Sequence, residues 1–257
     1  MKILFVASEC APFIKTGGLA DVVGTLPKYL AQAGEDVRVI LPKYDVMRRE
    51  YKEMMTHVVH FYLDLGWRRQ YCGVEMIEQD GVTYYFIDNE YYFARGNVYG
   101  SGEFEGERFA FFCRAVLSVL PLIGFRPDVL HLNDWQTGMI PVMLCTQYQG
   151  NEFFRGIKTV YTIHNLRYQG VFAWSFVRDL LSLDDGLFTD DKLEYYGCAN
   201  FMKAGIVYSD VITTVSPTYA REVTTSYYGE RLDGLLKARA NSTVGILNGI
   251  DVGVYDP

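Results

Sequence analysis

With 257 residues, of which 49% are hydrophobic, the chain can bury the core of one large α/β domain or of two small ones. Its net charge of −7 and the lack of any Lys/Arg-rich run argue against a nucleic-acid partner. No apolar run reaches the roughly 18 residues of a membrane span, so we expect no membrane partner. The five cysteines are widely spaced and include no Cys-x-x-Cys pair, so neither a zinc site nor a disulfide framework is indicated, and we expect a cytoplasmic protein.

The first part of the chain predicts a strand over residues 2–7 and a helix over residues 18–33. Lys15 and the Gly17-Gly18 pair stand between them. Glycines let a backbone approach a ligand closely, and the start of a helix presents N–H groups and partial positive charge to an anion. We therefore predict a phosphate or diphosphate site, with a simple tight turn as the alternative. The Gly-x-Gly-x-x-Gly spacing of dinucleotide-binding oxidoreductases is absent.

Strand-like and helical segments alternate along most of the chain, which predicts a Rossmann-like α/β fold with a doubly wound, mostly parallel sheet. β-Branched and aromatic runs over residues 57–87, with a turn at Asp80-Gly81, predict a small antiparallel hairpin excursion. The other predicted strands are 37–41, 128–132, 158–163, 210–215 and 244–247; the predicted helices are 107–123, 136–148, 196–208 and one opening at Ser216-Pro217, with a loop-rich stretch from 164 to about 193.

Polar residues follow several of these predicted strands. Asn133-Asp134-Trp135 follows the strand ending at 132, His164-Asn165 the next, and Asn248-Gly249 the last. Ligands bind at the carboxyl ends of parallel strands, so these residues should converge on one cleft. The alternatives are that Asn133 or Asp134 only caps a helix, and that His164 is a structural histidine.

Three strings of residues resemble the glycogen and starch synthase family: 8–24, with Lys-Thr-Gly-Gly-Leu-Ala-Asp at its centre; 161–170, with Thr-Ile-His-Asn-Leu; and 246–251, with Asn-Gly-Ile-Asp. The resemblance covers essentially the whole chain. It implies half of a GT-B enzyme, in which two Rossmann-like domains face each other across a cleft. Residues 1–245 would form the amino-terminal catalytic domain and 246–257 the start of the interdomain linker, with the carboxyl-terminal domain absent from this chain.

The resemblance also implies an activity: retaining transfer of glucose from ADP-glucose to the 4-OH of an α-1,4-glucan, with no metal ion or other cofactor. Its partners would be the nucleotide sugar, the α-glucan and the enzyme's own second domain. A glucan-binding module without catalysis and a GT-B transferase for another sugar stay open. The implied site residues are Lys15, Gly17, Gly18, His164, Asn165 and Asn248 for the donor; Asp21, Tyr92, Asp134 and Trp135 for the acceptor; and Lys15, His164 and Asp134 for catalysis.

Two of these implied roles have structural alternatives. Asp21 lies one turn into the first predicted helix, where an acidic side chain complements the helix dipole without touching any ligand. Tyr92 belongs to a Tyr-Tyr-Phe run that can equally pack beneath a loop.

Overall fold

A mixed nine-stranded sheet forms the centre of the protein in a computed structural model that describes residues 1–251. Its order is β12-β11-β7-β6-β1-β2-β5-β4-β3. Neighbours from β12 to β5 are parallel, and β4 and β3 add antiparallel pairs at one edge. These strands are β1 (Lys2–Val6), β2 (Asp36–Pro42), β3 (Thr56–Leu65), β4 (Arg68–Gln79), β5 (Val82–Asp88), β6 (Val129–Asn133), β7 (Lys158–Ile163), β11 (Val211–Thr214) and β12 (Thr243–Gly245).

The sheet confirms the predicted α/β class, its mostly parallel order and the antiparallel excursion. A second, three-stranded antiparallel sheet was not predicted: β8 (Val171–Ala173), β10 (Cys198–Asn200) and β9 (Glu194–Tyr195). It corrects the predicted helix over 196–208, which begins only at Phe201 because the preceding residues form β9, a turn and β10.

The helices flank the main sheet, and several differ from their predicted bounds. The one predicted over 107–123 begins four residues earlier, and the one predicted over 136–148 is a 3₁₀ turn followed by a shorter helix. The helices are α1 (Gly18–Gln32), α2 (Arg49–Met54), α3 (Glu90–Phe93), α4 (Glu103–Leu122), α5 (Met139–Thr146), α6 (Trp174–Leu181), α7 (Phe201–Tyr208), α8 (Pro217–Glu222) and α9 (Asp233–Ala238). Of these, α2, α3, α6 and α9 were not predicted.

Helix α4 lies within the core, because it is buried nearly throughout from residue 105 to 120 and most of that stretch is apolar. Its Phe109 packs edge-on against Trp135, with ring centroids 5.2 Å apart. The core therefore reaches directly to the loop that follows β6. Among residues 1–251, no helix has the length and apolar character needed to cross a bilayer.

Candidate active site

The carboxyl ends of the parallel strands meet at a cavity of about 670 Å³. Residues that follow β1, β6, β7, β11 and β12 all line it, so the predicted convergence of strand ends is found. Predicted site residues on its wall are Gly17, Gly18, Asp134, Trp135, His164, Asn165 and Asn248. Asn248 of the predicted linker belongs to this wall, and linker residues 252–257 lie outside the described part of the chain.

A buried carboxylate, Glu9, organises the glycine turn before α1. Its Oε2 accepts hydrogen bonds from the backbone N–H groups of Thr16 and Gly17, and its Oε1 accepts one from the Tyr99 hydroxyl at 2.9 Å. No side chain caps α1, and a Cβ on Gly18 would meet no atom within 4 Å. The first turn of α1 thus borders open space with backbone N–H groups that a helix cannot satisfy itself, which suits an anion.

Lys15 and Asp21 lie beside this turn but do not line the cavity. The Lys15 ammonium donates to Asp21 Oδ1 at 2.6 Å, and the two side chains are 46% and 38% exposed. An ion pair this exposed contributes only about 0–1 kcal/mol. Lys15 can therefore exchange this partner for an incoming diphosphate at little cost.

Asp134 adopts a backbone conformation that few side chains tolerate, with φ 57° and ψ −178°. This region is almost reserved for glycine and costs on the order of 1–3 kcal/mol. The alternative supposed that Asp134 caps the helical turn that follows it, but its side chain makes no capping hydrogen bond there. Its Oδ1 instead accepts hydrogen bonds from the backbone N–H groups of His164, at 2.8 Å, and Asn165, at 3.4 Å. The carboxylate thereby ties the end of β6 to the end of β7.

Burial raises the pKa of Asp134 to about 7, against the lowering effect of those two backbone hydrogen bonds, and the nearby Glu9 charge adds to the rise. For the half-buried His164 the effect on the pKa has the opposite sign, because burial disfavours the charged imidazolium and lowers the pKa to about 4. The cavity thus holds a neutral imidazole beside a carboxyl group that changes its charge near neutral pH.

Asn133 was expected from the sequence to converge on the cleft, or to cap a helix, but it was not chosen as a site residue, and it lies behind the cavity wall. Its side chain is buried, and its Oδ1 lies 3.0 Å from Nε2 of His164. Glu9 and Tyr99 were likewise not selected from the sequence. Their signal was weak, because a single acid in an apolar segment and a tyrosine in a loop have many structural explanations.

Trp135 and Tyr92 are held mainly by the core. Trp135 is only 7% exposed, and it packs so closely on Gly170 that a Cβ there would lie 2.2 Å from its ring. Tyr92 is fully buried and donates its hydroxyl hydrogen bond to Glu107 at 2.8 Å. The structure therefore does not bring Tyr92 to the cavity and agrees with the packing alternative.

Among residues 1–251, no group of three or more His, Cys, Asp or Glu side chains has an arrangement that could hold a metal ion. All five cysteines are free thiols.

Comparison with known proteins gives a consistent result. Residues 2–238 match the family model of the starch synthase catalytic domain. The chain is 58% identical to the glycogen synthase of Geobacillus thermodenitrificans and 54% identical to that of Lachnospira eligens, over 100% of this chain and 53% and 54% of those proteins. The solved catalytic domain of starch synthase IV from Arabidopsis thaliana, bound to ADP and acarbose, has a TM-score of 0.89 at 32% identity and covers 98% of this chain and 52% of that one. The chain thus spans about half the length of these relatives.

Proposed function

The chain belongs to the starch synthase catalytic domain family, and on that premise we propose that the whole protein transfers glucose from ADP-glucose to the non-reducing end of an α-1,4-glucan. One observation carries the proposal: a single cavity collects the glycine turn of α1, the Asp134 carboxyl group and the neutral His164 ring. The glycine turn suits the diphosphate of a nucleotide, and the Asp134 carboxyl group and the His164 ring suit the hydroxyl groups of a sugar. The solved plant relative, which binds ADP and acarbose, supports the same pairing of ligands.

The donor side of the proposed reaction uses the glycine turn and its neighbours. The N–H groups at the start of α1 and the Lys15 ammonium stabilise the negative charge that develops on the departing diphosphate. His164, Asn165 and Asn248 surround the glucose. The bond between the anomeric carbon and the diphosphate oxygen breaks, and the acceptor 4-OH attacks from the same face. Its proton passes to the leaving phosphate, so the proposal includes neither a protein nucleophile nor a metal ion.

The acceptor side uses Asp134 and Trp135, with Asp21 nearer the solvent. Two backbone N–H groups occupy Oδ1 of Asp134, so Oδ2 is the oxygen that we assign to an acceptor hydroxyl. Trp135 borders the cavity beside it. We assign no acceptor contact to the buried Tyr92.

We infer further that the half of the relatives' length not spanned here supplies a second GT-B domain, whose cations complete the diphosphate site. On this proposal the 257-residue chain alone has negligible transferase activity, and the free cysteines suit a cytoplasmic enzyme.

The test measures transfer of labelled glucose from ADP-glucose to maltooligosaccharides by the full-length protein, with UDP-glucose in parallel. Lys15→Ala should lower kcat by about 100-fold or more, the usual effect of losing one charge-stabilising group. Lys28→Ala is the matched control, because Lys28 is also a lysine paired with an aspartate, Asp80, but lies ten residues into α1, away from the glycine turn. Glucan binding with no transfer from either donor would refute the proposal in favour of a binding module.

A further inference from the structure

The orientation of the buried Asn133 amide is fixed by its neighbours. Its Nδ2 donates to the backbone carbonyl of Val6 at 3.0 Å and to that of His131 at 3.2 Å. Carbonyl oxygens only accept, so the NH₂ end of the amide must face them. The opposite end, Oδ1, is then the atom that lies 3.0 Å from Nε2 of His164.

This geometry decides which ring nitrogen of His164 carries the proton. Asn133 Oδ1 can only accept a hydrogen bond, so Nε2 must donate one. Burial lowers the pKa of His164 to about 4, so near pH 7 the ring holds a single proton. That proton is on Nε2, and Nδ1 keeps its lone pair. Within residues 1–251, no hydrogen-bond donor engages Nδ1.

We propose that Asn133 is a positioning residue that locks His164 in its Nε2-protonated tautomer, so that Nδ1 accepts a hydrogen bond from a ligand hydroxyl in the cavity. The identification of that hydroxyl as one of a sugar rests on the proposed function, whereas the tautomer does not. The opposite tautomer would lose the bond to Asn133 and present an N–H to the ligand instead of an acceptor.

The other charged or titratable groups near this ring do not compete for Nε2. Asp134 accepts from the backbone N–H of His164, not from its ring, and Glu9 is occupied by the glycine turn and Tyr99. His131 has a separate partner, because its Nε2 lies 2.6 Å from Oγ1 of Thr162. The His131–Thr162 pair is therefore a matched internal control for the Asn133–His164 pair.

The test is ¹⁵N NMR of the 257-residue chain with ¹⁵N-labelled histidine. The chain contains only four histidines, so each ring can be assigned. The Nδ1 and Nε2 shifts of each ring report its tautomer directly. We expect a protonated Nε2 and an unprotonated Nδ1 for His164 in the unmodified chain, a measurement that needs no variant. A protonated Nδ1 would overturn the proposal.

Two substitutions separate the tautomer lock from simple packing. Asn133→Leu removes the acceptor and should redistribute the His164 proton between the two nitrogens. Asn133→Asp loses the NH₂ donor to the Val6 and His131 carbonyls but keeps an acceptor toward Nε2, and should therefore retain a protonated Nε2. Thr162→Val removes the hydroxyl partner of His131, so it should change the ¹⁵N shifts of the His131 ring and leave those of the His164 ring unchanged. An Asn133→Leu chain with an unchanged His164 tautomer would refute the role of Asn133.

The catalytic consequence is measured on the full-length protein. Asn133→Leu should lower kcat/KM by about tenfold, the effect of one lost hydrogen bond, and Asn133→Asp should restore part of that loss. An unchanged kcat/KM in the leucine variant would contradict the role proposed for Nδ1. If the unmodified enzyme shows no transferase activity, the proposed function fails while the NMR result still tests the tautomer.

Discussion

Replacing Asp134 with asparagine should remove a pH-dependent penalty on folding. Burial raises the pKa of this carboxyl group from 3.8 to about 7, so the folded chain keeps the proton over a range in which the unfolded chain has already lost it. Stability is therefore lost as pH rises from the unfolded pKa to the folded one, and the full penalty applies above about pH 7. One pKa unit corresponds to about 1.4 kcal/mol, so that penalty is about 4 kcal/mol at pH 8 and about 1.5 kcal/mol at pH 5.

Asparagine is the suitable replacement because it keeps Oδ1 for the N–H groups of His164 and Asn165 and, having the same shape as aspartate, adds no strain beyond that already present at this position. Urea unfolding of the 257-residue chain and of Asp134→Asn at pH 5, 6.5 and 8 gives the difference in unfolding free energy. That difference should shift in favour of the variant by about 2.5 kcal/mol between pH 5 and pH 8.

Asp80→Asn is the control, because Asp80 also has a positive φ, of 53°, but lies exposed in a turn. Its effect should vary by less than about 1 kcal/mol over the same pH range. A pH-independent difference for Asp134→Asn would show that this carboxyl group titrates as an exposed one does, and the account of the buried site would be wrong.

Three further outcomes are expected. Gly170→Ala should destabilise the chain by about 3 kcal/mol or more, since φ is 63° and the new Cβ would lie 2.2 Å from the Trp135 ring; urea unfolding and tryptophan fluorescence measure both effects. Tyr92→Phe should cost about 1–2 kcal/mol in unfolding free energy by removing a donor to Glu107, and leave KM for the glucan unchanged in the full-length protein. A raised KM for the glucan in Tyr92→Phe would show that Tyr92 does contact the acceptor. Calorimetric titration of the 257-residue chain with a maltooligosaccharide should give binding that Asp134→Ala weakens, and equal binding by both would remove Asp134 from the acceptor site.

The parallel part of the fold was predictable because its strands are short apolar runs with turn residues at their ends. The polar residues that follow these strands form most of the cavity wall, so most of the wall was predictable too. Helix α6 was missed although its signal was present: Val177, Leu180 and Leu181 follow helical spacing and are all buried. The small second sheet had no comparable signal, because its strands are two or three residues long, and β9 and β10 are joined by Tyr196 and Gly197, both with positive φ.

The contacts that organise the site could not be predicted from local pattern. Asn133 donates to Val6, 127 positions away in sequence, and Glu9 accepts from Tyr99, 90 positions away. Such bonds depend on which strands become neighbours and on how deeply each side chain is buried. The motif strings could locate residues at the cavity, but not the partner that each one would find.

Two consecutive residues, Asn133 and Asp134, join three strand ends into one unit. Asn133 bonds to the last residue of β1 and to the His164 ring, and Asp134 bonds to the backbone of the same histidine, directly after β7. The hydrogen bonds that the Asp134 carboxyl group accepts offset part of the backbone strain at this residue, which is about 1–3 kcal/mol. The histidine is thereby held by its ring and its backbone before any ligand arrives. Groups fixed in this way need no reordering when a substrate binds, which is the condition for using binding energy to align reacting atoms.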